Sequence, residues 1–460
     1  MSERGRTEIT WISGMFDVRL RRLCLVRSLF LVFASWLLIP GLVFAHAELV
    51  RADPPDPCIR RSSSFISQAG QCGAPITLTT APAVIRLTFS EPVDPVSAGI
   101  RVRGPDGVLI SDAAITASGL DLVVPFNGEQ QGTYRVSWHM VAADTHPERG
   151  QYVFHLGQPS PGFTEDGRSG DTSAAFGLIL QVIGRWLHFG GLAIGFGSIA
   201  FRMLVLRPVG LAEMQVLTNR IWRLVGVAIA LLVLAEPFAL FGQTASLAPD
   251  EMFDPDIVRG AFESSFGRAL AQRLGGAVLL WVLAGQLART NARSSWVLLA
   301  VGAGLSFATG ASAHAIGTQP VWLGMAVNAI HVAAMVLWFG GLVTLVALWR
   351  PLAEVSGAFD RRAIVLRRFG RLSLLAVGLL AATGVIMAMQ HIDRPLGLAT
   401  TAYGNALLIK TVIVAMVLGI VVVTRRVHRR HVLALWRWEI SVLAVVLGLS
   451  ALLTSVAPPT

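Results

Sequence analysis

The sequence predicts a protein of two parts: an N-terminal all-β sandwich, and after it an all-α polytopic membrane domain of about eight transmembrane helices. The chain has 460 residues, of which 53% are hydrophobic and 14% are charged. That balance is typical of a membrane protein and is too apolar for an ordinary soluble enzyme. Between positions 46 and 157 apolar and polar residues alternate as in strands, whereas long apolar runs follow position 176.

The formal charge of +10 has two possible meanings. A basic surface can bind nucleic acid, but here the arginines fall mainly in short segments between apolar runs. That distribution is the topology signal of membrane proteins. We therefore expect the lipid bilayer as a partner and no nucleic acid.

Residues 1–45 are typical of a signal peptide. Residues 28–44 form the apolar run, and Val43-Phe44-Ala45 supplies small residues before a cleavage point. Cleavage after Ala45 would make His46 the new N-terminus. The alternative is an uncleaved anchor helix, since the run is nearly long enough to span a bilayer. The basic segment before the apolar run contains Arg19, Arg21, Arg22 and Arg27.

Residues 46–157 are expected to form the β domain, and residues 158–175, rich in Gly, Ser, Pro and Asp, a flexible linker. Cys58 and Cys72 are the two cysteines of the mature chain. In an exported domain they can form a disulfide; the alternative is two free buried thiols. The strand-like runs are residues 84–89, 100–103, 120–124 and 134–138, separated by turn residues as in a sandwich.

Residues 176–460 contain eight apolar runs, each near the ~20 residues that cross a bilayer. The loops after the odd-numbered runs carry arginines, and the loop between runs two and three is acidic. The positive-inside rule places the arginine loops in the cytoplasm and the β domain and C-terminus outside. The runs are residues 176–206, 222–242, 268–288, 295–315, 322–349, 371–391, 404–424 and 438–457.

Three residues form a candidate metal site in the exported domain. Cleavage would give His46 a free α-amine beside its imidazole, and Asp144 and His146 lie two positions apart after a strand. Nitrogen and oxygen donors of this kind suit Cu(II). The alternative is a disordered terminus and a turn that happens to contain Asp144 and His146.

The membrane runs contain a second set of candidate copper ligands, because polar groups in a bilayer are costly and usually face a bundle interior. His188 lies midway along run one, and Asn328, His331 and Met335 share one helical face. Thioether and imidazole together suit Cu(I). The alternatives are gap-filling methionines and histidines that bond to neighbouring helices. The candidate path consists of His188, His331, Met335, Met387 and His391, with His314 at the outer end of run four.

Two further intramembrane charges have several possible roles. Glu236 lies in run two and Lys410 in run seven. They could pair with each other, relay protons or extend to the interface. Gly190-Gly191 and Gly340-Gly341 are expected to permit close helix contact.

The β domain resembles the CopC family of periplasmic copper-binding proteins. The resemblance lies in His46-Ala47-Glu48-Leu49, in residues 87–93, in residues 134–147 and in Gly150-Gln151-Tyr152-Val153-Phe154. It implies a Greek-key sandwich in which His46, Asp144 and His146 bind Cu(II). Met140 is the single methionine between positions 46 and 157, so no methionine-rich Cu(I) site is expected. His139 and His155 are extra histidines that we expect on the surface.

The membrane domain resembles the CopD family of copper-resistance or copper-uptake proteins, often fused to CopC. The resemblance lies in residues 331–342, 368–373, 382–384 and 403–410. It implies a multi-pass inner-membrane protein, not an enzyme, that serves copper homeostasis or resistance, with import favoured. Copper ions are the implied cargo. A periplasmic copper chaperone or reductase is a further candidate partner.

Three other functions compete with this one. His188 and His331 could hold haem b in a membrane oxidoreductase. The chain could be a copper buffer or sensor whose helices serve as an anchor. A copper monooxygenase of the histidine-brace kind is the third, and the Asp144 ligand argues against it.

Overall fold

The structure is a computed structural model. It describes residues 49–57, 74–90, 92–111, 115–142, 145–161, 172–287, 295–311, 321–354, 357–391, 402–424 and 432–455. The predictions for the signal peptide and for His46, Cys58, Cys72, Asp144 and His314 concern residues outside these ranges.

The N-terminal part is a sandwich of two sheets. All strand pairs are antiparallel except β2 with β9. The predicted strand runs fall in β3, β4, β7 and β8, which confirms the β-sandwich. One sheet has the order β1 (Leu49–Asp53), β3 (Val84–Phe89), β7 (Asp121–Pro125), β6 (Thr116–Ser118). The other has the order β2 (Thr77–Leu78), β9 (Pro147–Leu156), β8 (Gly132–Ala142), β4 (Val93–Arg103), β5 (Leu109–Ser111).

Alternation along the strands builds the core between the two sheets. In β3, Ile85, Leu87 and Phe89 are buried while their neighbours are more exposed, because successive side chains point to opposite faces. Tyr134 and Phe154 stack with ring centroids 5.3 Å apart. The core is therefore independent of the helices that follow.

Every predicted membrane run contains a helix. Five helices are long and apolar enough to cross a membrane, so the membrane domain is confirmed, while the number eight stays a prediction. The helices are α1 (Thr172–Phe201), α2 (Gln215–Leu247), α3 (Pro255–Glu263), α4 (Ser265–Leu287), α5 (Ser295–Ala311), α6 (Val321–Met335), α7 (Gly341–Leu348), α8 (Ala358–His391), α9 (Ala402–Thr424) and α10 (Val432–Leu453). Two π-helical turns, Arg202–Leu206 and Val336–Gly340, extend α1 and join α6 to α7.

Glycines at intervals of seven let α1 lie directly on α2. A Cβ at Gly177 would be 2.7 Å from the Ser246 nitrogen, and one at Gly184 would be 2.9 Å from the Ala239 nitrogen. Gly191 likewise faces α2. Seven residues are nearly two helical turns, so these glycines share one face. The two backbones therefore approach more closely than side chains would permit.

The paired glycines of the sequence behave as expected at three of four positions. A Cβ at Gly340 would be 1.8 Å from the Ala193 oxygen, and one at Gly341 would be 2.6 Å from the Phe369 ring. Gly191 faces Leu232 at 2.8 Å. Gly190 is the exception, since a Cβ there would have nothing within 4 Å.

The sandwich rests on the loop and helices between the second and third runs. The Ser265 backbone N–H donates to Asp94 Oδ2 at 2.7 Å, and Arg101 pairs with Glu251 at 2.7 Å. The Arg101 hydrogen bond lowers the pKa of the Glu251 carboxyl. Val141 is buried in an apolar cluster with residues of α2, α3 and α4. The β domain and the acidic loop therefore lie on one side of the helical domain.

The two extra histidines are not surface residues, so that prediction was wrong. His155 is 7% exposed, and its Nδ1 lies 3.0 Å from Thr133 Oγ1. His139 is half-buried, and burial, with the charges of Arg101 and Arg149, lowers its pKa from 6.5 to about 4. The sequence places both residues on the outer face of β8 and β9, but it does not show that other parts of the chain cover that face.

We predict that Gly184→Leu destabilises the protein whereas Gly190→Leu does not. The leucine at position 184 would meet the α2 backbone, and overpacking of this kind typically costs about 1–3 kcal/mol. Position 190 has open space. Thermal unfolding of both variants in detergent measures the difference. Equal unfolding temperatures would contradict the close contact between α1 and α2.

We predict that His139→Gln reduces the loss of stability on acidification. The folded-state pKa of about 4 lies below the ordinary 6.5, so the unfolded chain binds more protons between these values. Stability should therefore fall as the pH falls from about 6.5 to about 4. Chemical unfolding at several pH values checks this. An unchanged pH profile in the variant would show that His139 ionises normally.

Candidate functional site

The turn between β8 and β9 contains Asp144 and His146 in sequence, two of the three metal ligands predicted for the β domain. The Thr145 N–H donates to the Ala142 carbonyl at 2.9 Å, and the Ala142 N–H donates to the His146 carbonyl at 2.9 Å. Thr145 has a φ of 75°. A non-glycine residue in this left-handed region is uncommon and is held by its surroundings, often at functional sites.

Two helices of the membrane domain hold this turn. Gln243 of α2 donates from Nε2 to the Thr145 carbonyl at 3.1 Å. Ser265, the first residue of α4, donates from Oγ to the Ala142 carbonyl at 2.7 Å. His146 is 6% exposed. Thr145 and His146 are therefore buried between the two domains, and side chains from the helices hold the carbonyl groups of Ala142 and Thr145.

A cavity of about 90 Å³ lies beneath the turn. Thr145 forms part of its wall, and the remaining wall comes from α1, α2, α4, α6 and the chain after α10. The lining residues are Thr145, Gln181, Gly184, Arg185, His188, Phe189, Ala235, Glu236, Ala239, Gln243, Phe266, Arg273, Asn328, Val332 and Thr454. The cavity thus connects the predicted copper-binding turn with the helical bundle.

Four charged or titratable side chains line this cavity, Arg185, His188, Glu236 and Arg273, and the last three meet at the Glu236 carboxylate. Arg273 donates from Nε to both carboxylate oxygens of Glu236, at 3.1 and 3.0 Å, and its second guanidinium nitrogen lies 2.9 Å from Oε2. His188 Nδ1 lies 3.7 Å from Glu236 Oε1. Glu236 is 4% exposed and His188 8% exposed. A buried carboxylate thus has one close cation and one nearby imidazole.

Neither ring nitrogen of His188 makes a hydrogen bond to the part of the chain that the structure describes. A buried imidazole without partners is costly, since almost all buried polar groups are hydrogen-bonded. Imidazole nitrogen is also a common metal ligand. His188, whose Nδ1 atom has Glu236 Oε1 at 3.7 Å, is therefore a candidate metal ligand in the wall of the cavity.

The structure separates the other predicted membrane ligands from His188. Asn328 lines the cavity, but His331 is absent from that lining and its Nδ1 lies 2.8 Å from Thr383 Oγ1. Met335 and Met387 are half-buried. His391 ends α8, and its side chain lies outside the described part of the chain. Among the described residues, no three His, Cys, Asp or Glu side chains form a metal-binding group.

The role of Arg273 was missed in the sequence, which left three roles open for Glu236 and Lys410, mutual pairing among them. Glu236 pairs with Arg273, and Lys410 is half-buried in α9. Glu236 and Arg273 lie inside two successive apolar runs whose other charges, Arg223 and Arg268, stand at the start of each run, and charges inside apolar runs usually pair. That signal could have predicted the ion pair.

We predict that Glu236→Gln destabilises the protein more than the double variant Glu236→Gln/Arg273→Gln does. The single change leaves the half-buried guanidinium of Arg273 without its carboxylate, and an unsatisfied polar group typically costs about 1–3 kcal/mol. The double variant removes both charges. Thermal unfolding in detergent compares the two. If the single variant is the more stable of the two, the ion pair does not hold these helices.

Three family models match successive parts of the chain. Residues 72–157 match the CopC domain, residues 174–321 match the N-terminal domain of copper resistance protein D-like proteins, and residues 363–453 match copper resistance protein D. The matches cover the sandwich and most of the helices. They agree with the two-part resemblance of the sequence.

Curated relatives match the whole chain or its first domain. Copper transport protein CutJ of Bacillus subtilis is 26% identical over 95% of this chain and 77% of its own length. Copper resistance protein C of Pseudomonas syringae pv. tomato is 30% identical over 27% of this chain and 91% of its own length. Protein YobA of Escherichia coli is 30% identical over 26% of this chain and 85% of its own length.

Proposed function

Because the chain belongs to the copper resistance family that joins a CopC domain to a copper resistance protein D domain, we propose that it captures copper outside the cell membrane and moves it toward the cytoplasm. The observation that carries this proposal is the position of Thr145. It stands between Asp144 and His146 in sequence, and it lines the cavity that also contains His188. Copper released from the turn would enter the helical bundle directly.

The proposed capture site consists of His46, Asp144 and His146. His146 lies at the end of the turn that Gln243 and Ser265 hold. Cleavage after Ala45 would supply the α-amine and imidazole of His46. These nitrogen and oxygen donors suit Cu(II), and the neutral forms of the imidazoles and amine are required, so acid should weaken binding.

The proposed topology has eight spans in the inner membrane with the sandwich and the C-terminus outside. The contact between the sandwich and the acidic loop before α4 supports it, because both must then lie on one side. The arginines of the opposite loops favour the cytoplasm. Capture outside and basic loops inside together favour import.

The proposed membrane path starts at His188 and continues through His331, Met335, Met387 and His391. Asn328 of α6 lines the first cavity, and Met335 follows seven residues later on the same helix, about 10 Å along its axis. Thioether groups at that depth suit Cu(I). The haem alternative lacks support from the geometry, because the Nδ1 atom of His331 lies against Thr383 and His331 does not line the cavity of His188.

We predict that the mature protein begins at His46 and binds one tight Cu(II) in its exported domain, and that His146→Ala abolishes this binding. Removal of one of three ligands leaves an incomplete set. Intact mass gives the N-terminus, and Cu(II) titration of the full chain gives the binding. His139→Gln is the control, because it changes a histidine of β8, the strand that leads into the turn, and lies outside the proposed ligand set.

A retained signal peptide would contradict the capture site, since the α-amine would be absent. Unchanged Cu(II) binding in His146→Ala would contradict it as well. A Soret band in the purified protein, with little copper, would favour the haem alternative.

A further inference from the structure

We propose that the cavity beneath the turn is itself a Cu(II) site, formed by His188 and Glu236, and that Arg273 occupies its cation position when copper is absent. This inference rests on the proposed function and specifies the first acceptor of the membrane path. It adds a second Cu(II) to the chain, separate from the one held by His46, Asp144 and His146.

The imidazole of His188 is the first support. It is 8% exposed, it lines the cavity, and neither of its nitrogens has a hydrogen-bond partner among the described residues. Its Nδ1 atom lies 3.7 Å from Glu236 Oε1. That separation exceeds a hydrogen bond, but an ion bound between a ring nitrogen and a carboxylate oxygen would need only small side-chain movements.

The pairing of Glu236 is the second support. A carboxylate that is 4% exposed requires a positive charge beside it. Arg273 provides this positive charge. Its side chain is 22% exposed, whereas that of Glu236 is 5% exposed, so the arginine is the partner that can move away toward solvent. Its guanidinium lies 5.8 Å from the Phe266 ring centroid. A divalent cation at His188 would replace the charge that Arg273 supplies.

The donor atoms of the cavity determine which oxidation state of copper it can bind. Besides His188 and Glu236, the polar groups facing the cavity include the amides of Gln181, Gln243 and Asn328 and the guanidinium groups of Arg185 and Arg273. The guanidinium groups only donate hydrogen bonds, so the possible metal donors are the imidazole, the carboxylate and the amide oxygens. No methionine or cysteine occurs among its described lining residues. Nitrogen and oxygen donors without sulfur suit Cu(II), whereas Cu(I) prefers thioether or thiolate. Copper can therefore pass from the turn to the cavity without being reduced.

The test is metal titration of the full-length protein in detergent, followed by electron paramagnetic resonance. The wild type should bind two Cu(II) per chain, with two distinguishable signals. His146→Ala should lose the exported-site signal. Glu236→Gln/Arg273→Gln, which removes one charge of each sign and leaves the net charge of the cavity unchanged, should lose the other signal or weaken that site by about tenfold or more. Glu213→Gln is the matched control: it removes another carboxylate that pairs with an arginine, Arg202, at 3.4 Å and away from the cavity, and it should keep both.

Each outcome separates this inference from the proposed function. One Cu(II) in the wild type, lost in His146→Ala, would overturn the cavity site and leave capture intact. Two Cu(II) in the folded double variant would overturn the ligand assignment. Binding of Ag(I), used as a substitute for Cu(I), with no second Cu(II), would overturn the oxidation state. A wild type that binds no Cu(II) would overturn both proposals.

Discussion

The buried carboxylate of Glu236 is the constraint on which the arrangement of the helical domain depends. A charge that is 4% exposed among apolar helices is unfavourable unless a cation compensates it. Arg273 does so, which fixes α4 against α2, and His188 brings α1 to the same point. A buried ion pair is often no more stabilising than well-packed apolar residues of the same volume. Retention of this pair in a cavity therefore favours a role in function.

The glycine face of α1 makes this meeting possible. Gly184 lies one turn before His188 and lets the α1 backbone approach Ala239, three residues after Glu236. Gln243 lies one turn after Ala239, near the end of α2, and donates a hydrogen bond to the Thr145 carbonyl. One helix pair thus positions the imidazole, the carboxylate and the exported turn. A longer separation between α1 and α2 would disconnect all three.

The sequence was sufficient to predict the strands and helices, but it did not show which of them pack against each other. Alternation predicted β3 at residues 84–89, and apolar runs predicted the helices, because both patterns are local. The pairing of Glu236 with Arg273 joins residues 37 positions apart on two helices, and helical periodicity does not say which helices touch. The spacing of Asn328 and His331 places both on one face of α6. Asn328 nevertheless lines the cavity, while His331 contacts Thr383 of α8, because more than one helix packs against that face.

The packing of the sandwich against the helices could likewise not be predicted from the sequence. Asp94 and Arg101 look like ordinary surface positions of a strand, and Ala142 like an inward-facing one, but each contacts the segment from Glu251 to Ser265. These contacts bury His139 and hold the turn over the cavity. They place the turn between β8 and β9 directly over the cavity of the helical domain, as the proposed route for copper requires.

The most direct test of this route is uptake of radioactive copper into proteoliposomes with the sandwich exposed outside. Protease digestion of the sandwich would establish the orientation of the protein. The account predicts accumulation of copper in the lumen with the wild type and only background with His188→Ala, provided that this variant unfolds at the wild-type temperature. Accumulation that is the same with the variant as with the wild type would contradict passage of copper through the cavity.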